Sequence, residues 1–515
     1  MYSAPATLVL VLALPLLASL TALLAGSRSP RLAGRIGASA AGAGFLGAVL
    51  LGLASTVDGP VSATLPTHHG TQLVELEADR LSALLLVLVY GVSAVVQVFA
   101  LRYLARDTRA RWFTAGCGLL TTASAGVMTA GTLVGLAVSW TSAGAALCLL
   151  LATYWELPAA REGVRRTATA LALGDLALWL AVVLVTAQRG NVRLSTLSHD
   201  GIEQPPLLPA AAALIVVAAL SRSAQIPFQR WLPATLAAPT PVSALLHAGV
   251  VNAGGVLLVR LSPIVSGSAV AMALAFGAGM LSMVYGGVVM LTRTDVKGAL
   301  VYSTTAQMGF MILTCGLGLS AAAVFHLVGH GFYKATLFLS SGSAIARRRQ
   351  KASRPAHPDL TAGRRTAIRL AAMLLSAAAL YTAAAIVGVP EAEHGSATAL
   401  LIFTWAAAAA ASAGWLTRIP DARAALAGGA ALLTAAVGYV ALLRAVTGFL
   451  APDLPAVTVP AAATPGLAAV AVVLGVLTLV RQAPPNGRTG RLQRAMYTRA
   501  LVTGQIPMTT TGVFR

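Results

Sequence analysis

Residues 321–346 read AAAVFHLVGHGFYKATLFLSSGSAIA. The run is apolar enough to cross a bilayer, yet it carries His326, His330 and Lys334. In a helix the i, i+4, i+8 spacing stacks all three on one face, drifting about 40° per step. A charged side chain at the bilayer centre costs roughly 2.5–3.5 kcal/mol on insertion scales, so intramembrane ionisable residues read first as a relay. The competing reading is that they act as polar glue between helices.

Composition sharpens the contrast. Of 36 basic residues only three are lysine, at positions 297, 334 and 351. The basic residue inside this span is thus the rarer type. Arginine keeps its proton in practically every protein setting, whereas a desolvated lysine can release one. A position that must gain and lose a proton therefore calls for lysine or histidine.

The rest of the chain supports a membrane setting. It has 515 residues, 57% of them hydrophobic and 10% charged, with a mean hydropathy of +0.79. Apolar runs of about 20 residues recur from end to end, which predicts an all-α polytopic membrane protein. The net charge of +20 would suggest nucleic acid in a soluble chain. Here the loops account for it, and no nucleic-acid partner is expected. Cys117, Cys148 and Cys315 fall in apolar spans without metal-ligand spacing, and read as core fillers. The first span lacks a basic leader region and is expected to be retained.

Fifteen spans are expected, near 5–25, 36–57, 81–101, 113–131, 133–154, 167–187, 207–226, 239–260, 268–291, 296–316, 320–346, 367–388, 398–417, 424–449 and 463–480. Every second connection is basic. On that numbering 29 Lys and Arg residues fall on one side and five on the other. The positive-inside rule then predicts an outer N-terminus and a cytoplasmic C-terminus in the cell membrane. The other face instead holds Glu75, Glu77, Asp79, Glu391 and Glu393. The basic stretch Arg347–Arg365 reads as ordinary anchoring, or as a lipid- or partner-facing surface.

Further candidates lie in the middle of the chain. Arg222 stands in ALSRSAQIPFQRWLP, and His247 and Asn252 in APTPVSALLHAGVVNAGG. Pro227, Pro239 and Pro241 predict interrupted helices, tolerated in a membrane where backbone is buried in protein or lines a cavity. A tight turn with an interfacial arginine and a core histidine is the bland alternative. Asp175, in LALGDLALWL, needs a cation or a proton at that depth, and Arg222 is the obvious partner, in a pair that is either structural or part of the proton path. Asp295 and Lys297 open a span and read as structural, Tyr302 and Gln307 as water-holding, and Glu156 as interfacial. No nucleotide fingerprint, metal-ligand cluster or nucleophile–base pattern occurs, so no cofactor and no enzyme activity are expected in this chain. Energy must come from an ion gradient, H+ or Na+, or from a partner.

SRSAQIPFQRWLPATLAAPTPVSALLHAG, DVKGALVYSTTAQMGFM and FHLVGHGFYKATLFLSSGS resemble the antiporter-like proton-channel subunits shared by respiratory complex I, Mrp-type antiporters and membrane hydrogenases. The resemblance runs over roughly residues 79–345, including Asp79 with Leu81 and Ser82. It implies about 14–15 transmembrane helices with broken members in two inverted repeats, here 111–265 and 266–420, flanked by 1–110 and 421–515. It also implies a proton pathway through Lys334, His330, His326 and His247. Two positions depart from the family pattern. Arg222 stands where the family has lysine, and Thr141, after Trp140, where it has glutamate. The span near 367–388 has no ionisable residue beyond Arg369. A redox-coupled pump is thereby disfavoured. Within the family the chain looks most like the DabB type, the membrane subunit of two-component inorganic carbon transporters. That likeness implies a large, mostly cytoplasmic DabA-like zinc subunit as partner. A respiratory, hydrogenase or Mrp subunit is the alternative, and a non-conducting membrane scaffold is a third reading.

Overall fold

A computed structural model describes residues 3–25, 29–64, 75–190, 192–198, 206–343, 361–388, 394–418, 422–454, 465–473 and 487–504. The helices are α1 Ala4–Ala25, α2 Pro30–Val57, α3 Arg80–Tyr103, α4 Ala110–Thr129, α5 Leu133–Leu151, α6 Pro158–Arg189 and α7 Leu208–Arg222. They continue with α8 Trp231–Ala234, α9 Thr240–Ala248, α10 Ala253–Arg260, α11 Ser262–Val265, α12 Ala269–Met290, α13 Val296–Gly316 and α14 Ser320–Leu339. The last are α15 Ala362–Val387, α16 His394–Arg418, α17 Ala422–Leu450 and α18 Gly487–Gly504.

Among the described residues, ten helical spans are long and apolar enough to cross a bilayer. α4, α13 and α14 have similar length, at 20, 21 and 20 residues, with more polar content. Fourteen of the fifteen expected spans coincide with helix. The last, 463–480, is described only at 465–473, where it is helical. Residues 344–360, Glu391, Glu393 and the tail beyond 504 lie outside the described residues, as does the core of the basic stretch 347–365. α2 and α6 start earlier than expected because a proline at the first helical position fits there without losing a needed hydrogen bond.

One short element outside the helices joins the otherwise helical fold. β1 Val61–Thr64 and β2 Glu75–Ala78 form an antiparallel hairpin, with Val61 opposite Ala78 and Thr64 opposite Glu75. A bridge from Leu76 to Ala130 ties the hairpin to the turn between α4 and α5, and a second from Thr132 to Arg193 holds the segment after α6 to the same turn. Four-residue strands carry too little alternation to stand out beside helical runs.

The expected broken helix is the segment 240–260. α9 stops at Ala248, a 3₁₀ turn covers Val250–Asn252, and α10 resumes at Ala253. Side chains take up the carbonyls freed by the break. Asn252 Nδ2 donates to the Ala248 carbonyl at 2.7 Å, and Ser223 Oγ to the Val251 carbonyl at 2.7 Å. In this segment 89% of the most apolar window is buried by protein, against 17% in α16 and α17. The break therefore sits at the centre of the bundle, where irregular backbone can be satisfied.

α12 and α13 pack backbone on backbone. A Cβ at Gly309 would fall 2.6 Å from the Gly279 carbonyl oxygen, and one at Gly286 2.7 Å from that of Tyr302. Small residues at helix contacts allow this closeness in lipid. It fixes the height of α13, whose first turns face Lys334.

Candidate functional site

Lys334 is 1% exposed in the C-terminal third of α14. Its Nζ donates to Ser303 Oγ at 2.5 Å and to the Leu300 carbonyl at 3.2 Å. Ser303 Oγ itself donates to the Leu300 carbonyl at 2.8 Å, which leaves its lone pair free to accept from the amine. Both partners of the amine are neutral oxygens. Such a pocket serves the ammonium with two acceptors and the neutral amine with little loss, as a group that changes charge state requires.

His330 and His326 follow Lys334 along the same face, so the predicted stripe is present. His330 is 4% exposed and its two ring nitrogens have no hydrogen-bond partner among the described residues. The two imidazole centroids lie 5.8 Å apart. His326 meets the Phe310 ring edge-on at 4.9 Å. Both histidines, with Gln307, Thr404 and Tyr439, line a crevice of about 480 Å³ between α12–α14 and α16–α17. Gln307 thus lies beside open space, as its polarity suggested. His247, 1% exposed, stacks on Phe338 at 4.4 Å with ring planes 8° apart. Phe338 is one turn beyond Lys334, so His247 belongs to the same neighbourhood.

Arg222 is not interfacial. It is 1% exposed at the C-terminal end of α7, and the chain turns sharply after it, with Ala224 at φ 51°. Its Nη2 donates to Asp175 Oδ1 at 3.0 Å and to the Trp140 carbonyl at 3.0 Å, and its guanidinium lies 4.3 Å from the Trp140 ring centre. The expected Arg222–Asp175 pair is therefore real. Nε and Nη1 have no partner among the described residues. Arg222, Trp140, Thr121 and Gly249 line a cavity of about 40 Å³, enough for about one water, between the ion pair and the helix break.

Sequence reasoning missed Ser303, which looks like one more hydroxyl in a helix. It also missed a clasp between remote segments. Arg260 reaches both carboxylate oxygens of Asp79, at 2.9 and 3.1 Å, and donates to Ser82 Oγ and, at 2.9 Å, to the Met128 carbonyl. Asp79 also caps α3, accepting from Ser82 N at 2.6 Å. Burial alone would raise the Asp79 carboxyl, but the Arg260 charge and the Ser82 bonds outweigh it and hold it below the usual carboxylate value. Neighbouring Glu77 moves the other way, pushed up by burial and by the Asp79 charge. Glu156 is exposed as expected and pairs with Arg109 at 2.5 Å. Asp295 caps α13 by accepting from Gly298 N at 2.5 Å.

Residues 130–420 match the family model for the transmembrane region of NADH:quinone oxidoreductase/Mrp antiporters, and residues 71–113 that for the N-terminus of complex I chain 5. The chain is 36% identical over 354 residues to a probable inorganic carbon transporter subunit DabB1 of Halothiobacillus neapolitanus, covering 67% of this chain and 63% of that one. It is 32% identical over 353 residues to NADH-quinone oxidoreductase subunit L of Mycobacterium tuberculosis, covering 65% and 55%. The chain thus spans less than two thirds of the length of either relative. In fold it is similar to a chain of the Mrp complex from a Dietzia species, with a TM-score of 0.64, 24% identity, and coverage of 98% of this chain and 60% of that one. With a family match over more than half its length, and with Lys334, Arg222 and His247 buried on interrupted and facing helices, this multi-pass chain belongs to the membrane-subunit family shared by NADH:quinone oxidoreductases and Mrp antiporters.

Proposed function

We propose that this chain is the proton-conducting membrane subunit of an energy-coupled inorganic carbon uptake complex. The conduction half rests on one observation: Lys334 is buried, and its amine is held by neutral oxygens on a face shared with two buried or half-buried histidines. In this reading a proton joins the Lys334 amine and is held between Ser303 and Leu300. His330 and His326 exchange it along α14, and His247 serves the side toward the helix break. Arg222 keeps its proton, so Asp175 is the member of that pair that changes state. The carried ion is H+, with Na+ as the competing cation.

Inorganic carbon is favoured because two relatives named as such transporter subunits match at 36% and 37%, against 32% for subunit L. The partner in this reading is a large, mostly cytoplasmic DabA-like subunit, whose zinc site carries the conversion of CO2 to bicarbonate. No cofactor and no catalysis are assigned to the chain itself. Its arginine distribution supports an outer N-terminus, a cytoplasmic C-terminus and residence in the cell membrane. Residues 111–265 and 266–420 are read as inverted halves, between helices at 1–110 and a C-terminal part at 421–515. An antiporter-like subunit of a respiratory, hydrogenase or Mrp complex is the second reading, supported by the long match to subunit L.

The test is co-expression with the DabA-like partner in cells lacking carbonic anhydrase, read as growth in ambient air. Rescue by the native pair and its loss with Lys334→Ala is the expected result. Rescue that persists with Lys334→Ala removes the lysine from the mechanism.

A further inference from the structure

Helix α18 is a basic helix outside the ten apolar spans, with sequence GRTGRLQRAMYTRALVTG, four arginines and no acidic residue. One side is committed to the body of the protein. Ala500, 4% exposed, packs with Val289 at the end of α12 and with Tyr302 on α13. Half-buried Gln493 and Met496 precede it at helical spacing. The rest of its surface presents Arg491, Arg494 and Arg499, all exposed, together with exposed Leu492, Tyr497 and Val502.

Two features say what this outward side fits. A helix that binds lipid places its apolar face in the bilayer, but here the less exposed side of α18 rests on α12 and α13. What remains is arginine mixed with tyrosine and large aliphatic groups, the composition of a protein-recognition surface. Its charge calls for an acidic counterpart. The inner side leads to the amine. Tyr302, in the same buried cluster as Ala500, directly precedes Ser303, and Ser303 Oγ accepts from Lys334 Nζ at 2.5 Å. One buried cluster, one peptide bond and one hydrogen bond therefore link the inner side of α18 to the buried lysine.

We propose that α18 is the docking strut for an acidic, water-exposed polypeptide partner, and that it carries the state of that contact through Ala500 and Tyr302 to the Lys334 pocket. The docking half stands on the surface alone; the coupling half rests on proton conduction as read above.

The test uses the full chain in neutral phosphatidylcholine nanodiscs, with fluorescent poly-L-glutamate as the probe. R491E/R494E/R499E is expected to weaken binding at least about tenfold at physiological salt. R102E/R106E/R111E, on another exposed basic segment, is expected to leave it within about twofold. Equal loss in both variants, or no loss in the first, overturns the docking site. So does an α18-dependent response to phosphatidylglycerol vesicles with none to polyglutamate, which would make α18 a lipid anchor. In proteoliposomes, polyglutamate is expected to change the proton flux of the native chain at least about threefold. It should leave Tyr302→Ala and Ala500→Gly unresponsive while they still bind the probe. A flux that ignores the bound probe overturns the coupling. A native chain with no proton flux under any condition refutes conduction, and with it the coupling half, while the binding arm still decides the docking half.

Discussion

Gly331 lies against the carbonyl of Ala248. A Cβ at position 331 would fall 2.9 Å from that oxygen and 2.5 Å from Leu88 Cδ1. Leu88 can rotate away; the backbone oxygen at the helix break cannot. Gly331 follows His330, and Ala248 follows His247, so this contact sets how closely α14 approaches the interrupted segment. Gly331→Ala is expected to push α14 off the break, costing about 1–3 kcal/mol as overpacking does. Proton flux in proteoliposomes should fall by more than the loss of folded protein explains. Unchanged flux at normal yield would show that the approach is slack.

The amine at 334 separates charge from titration. Lys334→Arg keeps a cation in the pocket but cannot release it at working pH. Lys334→Gln keeps a hydrogen-bond donor without charge. Both are expected to lower proton flux at least about tenfold, measured with a pH dye trapped in vesicles. An arginine variant that conducts like the native chain would mean the position is an electrostatic post and not a carrier.

The Arg222–Asp175 pair is expected to be lopsided under mutation. Asp175→Asn leaves a buried guanidinium without its counter-charge, a loss of about 3–5 kcal/mol for such pairs. Replacing both residues by apolar ones of similar volume should restore much of that stability. Thermal unfolding in detergent would report both. Proton flux should stay absent in the double variant even where the fold recovers.

The Asp79–Arg260 clasp gives a pH signature. Asp79 is held below the ordinary carboxylate value in the folded chain, so its stabilisation is fully present above that value, about 3.9. It is lost as pH falls through the lower folded value. The gap in unfolding temperature between the native chain and Arg260→Gln is therefore expected to be constant near neutral pH and to close below about pH 4. A gap that persists in acid would mean the clasp acts through packing.

The spans and the Lys334 stripe were legible because both are local. Apolar length marks one, and an i, i+4, i+8 repeat marks the other. The Arg222–Asp175 pair was legible by elimination, since a buried acid and a buried base rarely stay apart. The clasp was not, because Arg260 and Asp79 stand 181 positions apart and each looks like an ordinary loop charge. Thr141 shows the limit from another side. It stands where the resemblance implies a glutamate and accepts the Trp179 indole N–H at 3.1 Å, while Asp175, one turn before Trp179 on α6, is the acid that meets Arg222. A carboxylate on the adjacent helix is invisible to a reading of position 141 alone.

The neutral surroundings of the Lys334 amine have an electrical consequence. With no anion beside it among the described residues, each protonation adds an uncompensated unit charge at depth. Occupancy there must then respond to voltage, which is worth about 2.3 kcal/mol for one charge crossing a full 100 mV drop. The paired charges at Arg222 and Asp175 feel the same field mainly as a dipole. In the conducting reading proposed above, the lysine is the centre whose charge membrane polarisation acts on most directly.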